Sequence, residues 1–462
     1  MSPQQLVEHA LNAARGDCVV AVHDASRANL RWAGNTLTTN GVTHDVSVTV
    51  VAFHPTGDGT AAGSVTGSAT TAEEVTALVA AAEADAASAE PAEDAAPLVG
   101  SRTSADWDDA SPTTGVDTYA GLAPALGRAF ATAAAADRLL YGFVNHELVT
   151  TYLGSTSGLR LRHVQPTGHL GCTGKSADLT RSAWVGRATR DFTDVDPAAV
   201  EAELAQRLAW AERTVDLPAG RYDTILPPSA VADLMVDVYW GAGARTAHEG
   251  QSVYSRPPAD GGGTRVGDRI VAPRVRLWSD PAAPGLESAP FVVASSSSNT
   301  SSVFDNGLPL ARTDWIADGV LSHLVGTRHS TALTGLPTTP YVDNLVLEVD
   351  GGAGDVADLV AGTERGLLLT CLWYIREVDP QRMLLTGLTR DGVYLVEDGE
   401  ITGAVNNFRF NESPVELLSR FSHASASAPS FGREWGDDYF SRTATPALRV
   451  PDFTMSSVSQ AR

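Results

Sequence analysis

The sequence predicts an α+β protein of three units: an N-terminal α/β domain over residues 1–100, a small middle α+β domain over 101–216, and a large, mainly β C-terminal domain over 217–462. Three observations predict this class. The 462-residue chain is too long for one ordinary domain. Amphipathic helices alternate with strand-like segments in the first half. Beyond residue 264 strands and turns dominate.

The N-terminal unit opens with an amphipathic helix in MSPQQLVEHALNAARGD, followed by strand-like segments. Residues 45–53 place valines on one face and Ser47 and Thr49 on the other, which is typical of a half-buried strand. Thr71 and Glu74 have the spacing of a capping box and predict a helix start. From 88 to 118 the composition turns to Ala, Pro, Asp and Ser, which indicates an exposed connection.

The middle unit is predicted to contain a helix at 119–138, then strands, then a helix capped by Asp196 with Pro197 as its first residue. The turn residues LPAG at 217–220 mark the next boundary. The C-terminal unit begins with a helix over 229–247. After it, Asp-Gly and Asn-Gly turn signals recur at 305–307, 318–319, 350–352, 391–392 and 398–399, which favours a large antiparallel or mixed sheet structure.

The charge composition argues against some classes of function. The formal net charge is −22, with 55 acidic residues against 33 basic ones, and Lys175 is the only lysine. Such a surface repels phosphate backbones and anionic lipid, which argues against nucleic-acid or membrane partners. The N-terminus lacks the basic and apolar regions of a signal peptide, and no apolar run approaches the roughly 18 to 20 residues of a membrane helix.

The three cysteines, Cys18, Cys172 and Cys371, lie far apart without a Cys-x-x-Cys pair. This spacing excludes a disulfide framework and a cysteine-rich zinc module. An odd number of free thiols suits a reducing compartment, so we expect a cytoplasmic protein. Cys371 lies in the apolar run LLLTCLWY, which is typical of an inert core thiol.

The dipeptide His248-Glu249 near the end of the predicted helix is how many zinc peptidases begin their metal site. A second imidazole must follow at about one helical turn to reach the same ion. Ser252 stands four residues after His248 and Val253 five, and neither ligates zinc. A solvated His-Glu pair is the preferred interpretation.

Other candidates are weaker. His323 and His329 lie six residues apart, on or beside a predicted strand, without a carboxylate pattern to complete a ligand set. GSTSG at 154–158 has Thr156 where a nucleophile elbow requires serine. The glycine-rich segments miss the spacing of phosphate-binding loops. The serine-rich stretch 294–302 is interpreted as a surface loop, with a polar groove as the alternative.

Several ordered stretches carry more information. RWAGNTLTTNGV, LGSTSGLRLR, EGQSVYSRP, GGGTRVGDRI, VFDNGLPLARTDWIADGVLSHLVGTRHSTALTG and GVYLVEDGEITGAVNNFRFNESPVELL resemble, in order and over nearly the whole chain, the TldD/TldE (PmbA) metallopeptidase family. The resemblance implies the family's fold and a role in peptide hydrolysis. Its most specific part is DNGLP followed by ARTDWIADGVL.

The family comprises two related subunits that pair. TldD-type subunits carry His-Glu-x-x-x-His and a late cysteine, which hold the catalytic metal, whereas TldE-type subunits lack them. Here Val253 stands at the second histidine position, and no cysteine follows Cys371. The chain therefore resembles TldE, which implies no catalytic residue and no metal ligand in this chain and a zinc-bearing TldD-type partner.

The resemblance also implies a peptide substrate, small or unfolded, and admits antimicrobial-precursor and natural-product pathways. Asp305, Asn306 and Arg312 lie in the most family-like turn and are candidates for a peptide groove, although a structural turn explains them equally well. Two alternatives remain open. One is a free-standing metallopeptidase in which His323 or His329 joins His248 and Glu249; the other is a peptide-binding homo-oligomer.

Overall fold

The computed structural model describes residues 1–437 and 439–460. Within these residues the chain forms nine α-helices and three β-sheets. The helices are α1 Pro3–Ala13, α2 Ala72–Ser88, α3 Leu122–Ala135, α4 Pro197–Trp210, α5 Pro228–Trp240, α6 Ala244–His248, α7 Arg328–Thr334, α8 Val356–Ala361 and α9 Pro414–Arg420.

The strands fall into a first group before residue 190 and a second group after residue 213. The first group is β1 Cys18–Ala33, β2 Thr36–Thr56, β3 Gly59–Ser68, β4 Arg102–Thr103, β5 Arg138–Ser155, β6 Leu159–Ser176 and β7 Ser182–Thr189. The second group is β8 Thr214–Val215, β9 Gly220–Leu226, β10 Val275–Ser279, β11 Thr313–Ala317, β12 Val320–Leu321, β13 Leu345–Val349, β14 Arg365–Leu369, β15 Leu372–Asp379, β16 Leu384–Thr389, β17 Val393–Glu397, β18 Glu400–Val405, β19 Phe408–Glu412, β20 His423–Ala424, β21 Ala428–Ser430, β22 Thr443–Thr445 and β23 Leu448–Val458.

The predicted N-terminal caps of α2 and α4 are confirmed. Thr71 accepts a hydrogen bond from the Glu74 backbone N–H, and the Glu74 carboxylate accepts one from the Thr71 backbone N–H, so two otherwise unpaired donors at the start of α2 are satisfied. Asp196 accepts the Ala198 N–H at the start of α4. The predicted helix over 229–247 is divided into α5 and α6 by a break at residues 241–243.

One seven-stranded sheet contains every strand of the first group, in the order β3-β2-β1-β5-β6-β4, with β7 paired to β6. β1 pairs antiparallel with β5 from Val19 opposite Ser155 to Trp32 opposite Gly142. Strands from the predicted units 1–100 and 101–216 therefore share a sheet. The division of the chain into three domains stays a prediction.

Alternate residues of β1 face different cores, as the two-residue period of a strand requires. Val20 and Val22 pack with α1 and α2, and Leu30 and Trp32 pack with α3 and α4. Thus the helices of this half cover one face of the sheet. Val19 and Ala21 point to the opposite face and pack against segments of the C-terminal half.

The C-terminal half contains a six-stranded and a ten-stranded sheet. Most pairs are antiparallel, but β9–β14, β8–β18 and β13–β22 are parallel, so the sheets are mixed. Helix α5 is almost wholly buried and belongs to the largest apolar core. The α+β class with a mainly β C-terminal half is confirmed.

The two halves meet at an aromatic contact. The rings of Phe53 on β2 and Phe304 in the C-terminal half lie with centroids 4.8 Å apart. Gly307, three residues later, has φ +87°, and a Cβ there would lie 2.4 Å from Leu159 Cδ1 on β6. The DNGLP turn therefore approaches the N-terminal sheet so closely that only glycine fits.

Candidate functional site

The His-Glu dipeptide lies at the last residue of α6 and its C-cap. Both side chains are exposed, and Gly250 follows with φ +80°, so the helix stops there. Val253 lies beyond the helix and packs, half-buried, against the main core. No helical turn therefore carries a second ligand onto the face that bears His248.

The other predicted histidines do not complete a site. His323 Nδ1 lies 2.8 Å from the Asp314 carbonyl oxygen, and His329 lies on α7. The prediction that both lie on or beside one strand is wrong for His329, because Thr327 caps helix α7 and His329 belongs to that helix. Among residues 1–437 and 439–460 no three His, Cys, Asp or Glu side chains form a group that could hold a metal ion. Zinc does not fit this donor set.

The segment predicted as an exposed connection is fixed to the C-terminal half by its acidic residues. Glu93 forms an ion pair with Arg245 on α6. Asp94 accepts hydrogen bonds from the hydroxyls of Ser297 and Ser302, each at 2.6 Å. These contacts join the connection to α6 and to the serine-rich loop at the same place.

Asp305 and Asn306 hold the DNGLP turn in position, and both are buried. Asp305 accepts hydrogen bonds from Arg328 Nε at 2.6 Å and from the Arg328 backbone N–H at 3.1 Å. Asn306 accepts the Ala294 N–H and donates to the carbonyls of Ala294 and Val303. The turn is thus a satisfied polar anchor at the junction of the two halves.

Arg312 lies elsewhere. Its guanidinium carbon is 4.0 Å from the Trp278 ring centroid, a cation–π contact, and Asp314 is 3.6 Å away. Of the three predicted groove residues, only Asp305 is part of the cleft described next.

A cleft of about 510 Å³ opens between β1, β5 and β6 and the C-terminal half. We call it the central cleft. Its polar lining comes from both halves, and its apolar walls come mainly from the segment just before the serine-rich loop. It is lined by His23, Glu147, Val149, Thr151, His163, Gln165, Thr167, Ala289, Phe291, Val292, Val293, Thr300, Ser301, Ser302, Asp305, Leu310, Thr327, Pro340, Tyr341, Asp343 and Arg442.

The imidazoles of the central cleft are held neutral. Burial lowers the pKa of both His23 and His163, because the charged form loses its hydration. His23 Nδ1 lies 3.0 Å from the Thr151 hydroxyl, and His163 Nε2 lies 3.1 Å from Gln165 Oε1. Both rings therefore act as hydrogen-bonding groups rather than as cations at neutral pH.

An ion pair forms another part of the lining. Arg442 pairs with the Asp343 carboxylate and also donates to the Asp343 carbonyl at 2.8 Å and to the Thr167 hydroxyl at 3.1 Å. Burial raises the pKa of Asp343, and Arg442 opposes that shift. The Asp343 side chain is nevertheless 44% accessible, because it borders the cleft. It can therefore bind a polar ligand.

Sequence patterns alone do not place these groups in one site. His23, His163, Asp343 and Arg442 come from four distant segments and carry no local motif. The serine-rich stretch 294–302 is a loop, as preferred, but Thr300, Ser301 and Ser302 also line the cleft. The two interpretations of that stretch are therefore both correct in part.

Two other cavities are larger than the central cleft. One of about 690 Å³ lies between α4 and α8, and one of about 610 Å³ borders β17 and β18. Neither contains a histidine or a residue of the DNGLP turn. We therefore take the central cleft as the candidate site.

The thiols do not contribute to it. Cys18, Cys172 and Cys371 are all buried. Burial raises the pKa of Cys18 and of Cys172 to about 12, and raises that of Cys371 as well. The prediction of an inert Cys371 agrees with this burial, because the reactive thiolate is suppressed. None of the described helices is long and apolar enough to cross a membrane.

Fold and sequence together define a metallopeptidase-related protein. Residues 219–457 match the family model for the PmbA/TldA metallopeptidase C-terminal domain. The chain belongs to the PmbA/TldD family, which includes TldE. No curated protein matches the sequence.

Solved structures extend the likeness to the whole fold. TldE from Thermococcus kodakarensis superposes with a TM-score of 0.76 at 16% identity, covering 98% of this chain and 99% of that one. A proposed modulator of DNA gyrase from Thermotoga maritima gives 0.73 at 16%, covering 98% and 99%. A third, from Bacteroides thetaiotaomicron and similarly described, gives 0.73 at 14%, covering 99% and 98%.

Proposed function

We propose that this chain is the TldE-like, non-catalytic subunit of a heterodimeric zinc metallopeptidase that acts on small or unfolded peptides. A TldD-type partner supplies the zinc ion and the general base. One observation carries the proposal: α6 ends at His248, and Val253, at the second histidine position, is an aliphatic residue packed on the core. Activating a water molecule needs several protein ligands and an open position on the metal.

The surroundings of Glu249 support the same role. Its carboxylate lies 2.9 Å from Arg245 Nε, so a guanidinium already neutralises the charge that a metal site would use. The interaction also links α6 to the connection through Glu93. This arrangement makes the degenerate motif a structural element of the subunit.

We assign peptide binding to the central cleft. Neutral imidazoles, hydroxyls and one internally paired Arg–Asp offer hydrogen bonds without a large net charge, while Phe291, Val293 and Leu310 offer apolar wall. A peptide main chain with mixed side chains has matching chemistry. In this role His23 and His163 orient the peptide, and the partner performs the hydrolysis. The buried thiols suit a cytoplasmic location.

Co-expression with a TldD-type protein tests the proposal. The expected result is a complex that degrades an unstructured peptide, such as reduced casein fragments, and that chelator inhibits. The single chain should show no such activity and no stoichiometric metal by elemental analysis. His248→Ala should leave the activity of the complex unchanged.

Two outcomes would contradict this role. Chelator-sensitive cleavage by the single chain, lost on His248→Ala, would favour the free-standing metallopeptidase. Peptide binding by an oligomer of this chain that never associates with a TldD-type protein would favour the peptide-binding homo-oligomer.

A further inference from the structure

A second cavity lies where helices α4 and α8 meet strands β14 and β18 of the ten-stranded sheet. Its volume is about 690 Å³, and we call it the α4–α8 cavity. Among the described residues, none lines both this cavity and the central cleft. Cavities that bind small molecules in proteins commonly measure about 300–1,000 Å³. The α4–α8 cavity is therefore large enough to be a separate binding site.

One wall of this cavity is apolar and contains an aromatic ring. Trp210, the last residue of α4, is half-buried and makes an edge-to-face contact with the buried Tyr394, with ring centroids 5.1 Å apart. Val360 and Leu368 are buried beside it, and Ile401 is half-buried. An indole ring held among aliphatic side chains is a favourable surface for another aromatic ring.

The charged side chains that α4 contributes to the lining are already paired. Glu203 forms ion pairs with both Arg187 and Arg207. Arg207 also donates a hydrogen bond to the Trp184 carbonyl, so each of its terminal nitrogens has an acceptor within the protein. This part of the lining therefore offers no unpaired cation to an anionic ligand.

Two other carboxylates that line the cavity have no cation beside them. Asp355 caps α8, and its Oδ1 accepts the backbone N–H groups of Ala357 and Asp358 at 2.8 and 3.2 Å. Glu400 is exposed at the first residue of β18. In the part of the chain that the structure describes, neither carboxylate forms an ion pair. The cavity thus combines an aromatic wall with uncompensated negative charge.

We propose that the α4–α8 cavity binds a small aromatic amine in its protonated form. The aromatic ring packs beside Trp210 and the aliphatic wall, and the ammonium group lies in the field of the Asp355 and Glu400 carboxylates. The indole of Trp210 adds a cation–π attraction for the same group. An aromatic carboxylate of the same size is repelled at this position.

The proposal is independent of the role proposed for the central cleft. It needs neither a TldD-type partner nor a peptide, and it concerns residues on other elements. Failure of amine binding would leave the peptidase role intact, and failure of the peptidase role would leave this site intact.

Isothermal titration calorimetry of the purified full chain tests the site with two ligands, tryptamine and indole-3-propionate. The two carry the same ring system and opposite charges. Tryptamine should bind with a dissociation constant on the order of 0.1–1 mM, as expected for a ligand of this size. It should bind at least about fivefold more tightly than indole-3-propionate at low salt. Raising the NaCl concentration to about 0.5 M should reduce this preference, because salt screens exposed charges.

Two variants locate the site and test its chemistry. Ala357→Trp fills the cavity from an exposed position on α8 and should abolish binding of tryptamine. Ala80→Trp, at an exposed alanine of α2 in the other half of the chain, is the matched control and should bind as the wild type does. D355N/E400Q should remove the preference for the amine while keeping the helix cap, because asparagine caps helices as well as aspartate does.

Four results would each overturn the proposal: no binding of tryptamine, equal binding of the two ligands at low salt, wild-type binding by Ala357→Trp, or a preference for the amine that persists in D355N/E400Q. Far-ultraviolet circular dichroism of each variant checks that the fold is retained. If Ala357→Trp does not fold, D355N/E400Q still decides the matter, because its substitutions preserve size and the cap.

Discussion

The guanidinium of Arg245 lies one helical turn before Glu249, with 2.9 Å between Nε and Oε1, and also pairs with Glu93 in the connection at residues 88–118. A cation of the protein thus bridges two carboxylates beside the His248-Glu249 dipeptide. It joins α6 to a segment that otherwise lacks regular structure from Ala89 to Ser101.

Replacing Arg245 with alanine should free this connection. The pairs are partly exposed, with Glu93 64% and Glu249 36% accessible, so the loss of overall stability is expected to be small. Limited proteolysis should show faster cleavage between residues 89 and 101. Arg365→Ala, which removes an exposed pair at 4.0 Å from Glu397, should leave the cleavage rate unchanged. Equal rates in both variants would contradict the bridging role.

Val253→His completes the family spacing in sequence but should not create a zinc site. Residue 253 follows a helix that stops at His248, and its half-buried side chain packs against the main core. Burying an imidazole there should instead destabilise the protein by about 1–3 kcal/mol. Elemental analysis and thermal melting with and without zinc measure this. A stoichiometric zinc ion with a raised melting temperature would disprove the helix-end argument.

Asn306→Ala should be strongly destabilising. The side chain makes three buried hydrogen bonds to Ala294 and Val303, and its loss leaves a buried N–H and two carbonyls unpaired. We expect a loss of about 2–4 kcal/mol, measured by chemical denaturation. Asn411→Ala, at a half-buried asparagine of β19, is the matched control and should cost less than half as much. A loss below 1 kcal/mol would show that the turn is not an anchor.

Asp237 predicts a pH dependence of stability. Its pKa is raised to about 7, mainly by burial; Trp435 opposes the shift, and the nearby carboxylates of Glu377 and Glu434 add to it. The folded state therefore binds a proton more tightly than the unfolded state, whose carboxyl ionises near pH 4. The contribution of this group to stability is full below pH 4 and is lost as pH rises through 7.

The Asp237→Asn variant has no ionisable group at this position, so it does not lose this stability as the pH rises through 7. The variant should be more stable than the wild type by a few kcal/mol at pH 8, and the difference should shrink steadily as pH falls to 4. Denaturation curves at several pH values measure it. If the difference in stability between the variant and the wild type did not change with pH, the pKa of Asp237 would not be raised in the folded protein, and the prediction would be wrong.

How well the sequence predicts an element depends on how far apart in the chain the interacting residues lie. The starts of α2 and α4 were predicted because Thr71 and Asp196 bond to backbone groups two or three residues away. The helix over 229–247 is predicted as continuous, but at the break the Ala242 carbonyl and the Ala244 N–H form hydrogen bonds with the backbone of the distant Val325. His329 is predicted beside a strand because it follows the strand-like stretch that ends in LSHLVGT, whereas in the structure Thr327 caps a helix there.

By itself the sequence determined the α+β class, the caps and turns, the family, and the aliphatic residue at position 253, because each of these depends on residues adjacent in the chain or on ordered segments. Only the tertiary structure decided that strands on both sides of residue 100 share one sheet and that His23, His163 and Arg442 meet in one cleft. The physical reason is that strand pairing and clefts join residues more than a hundred positions apart, and no local pattern of side chains specifies which distant backbone will lie beside them.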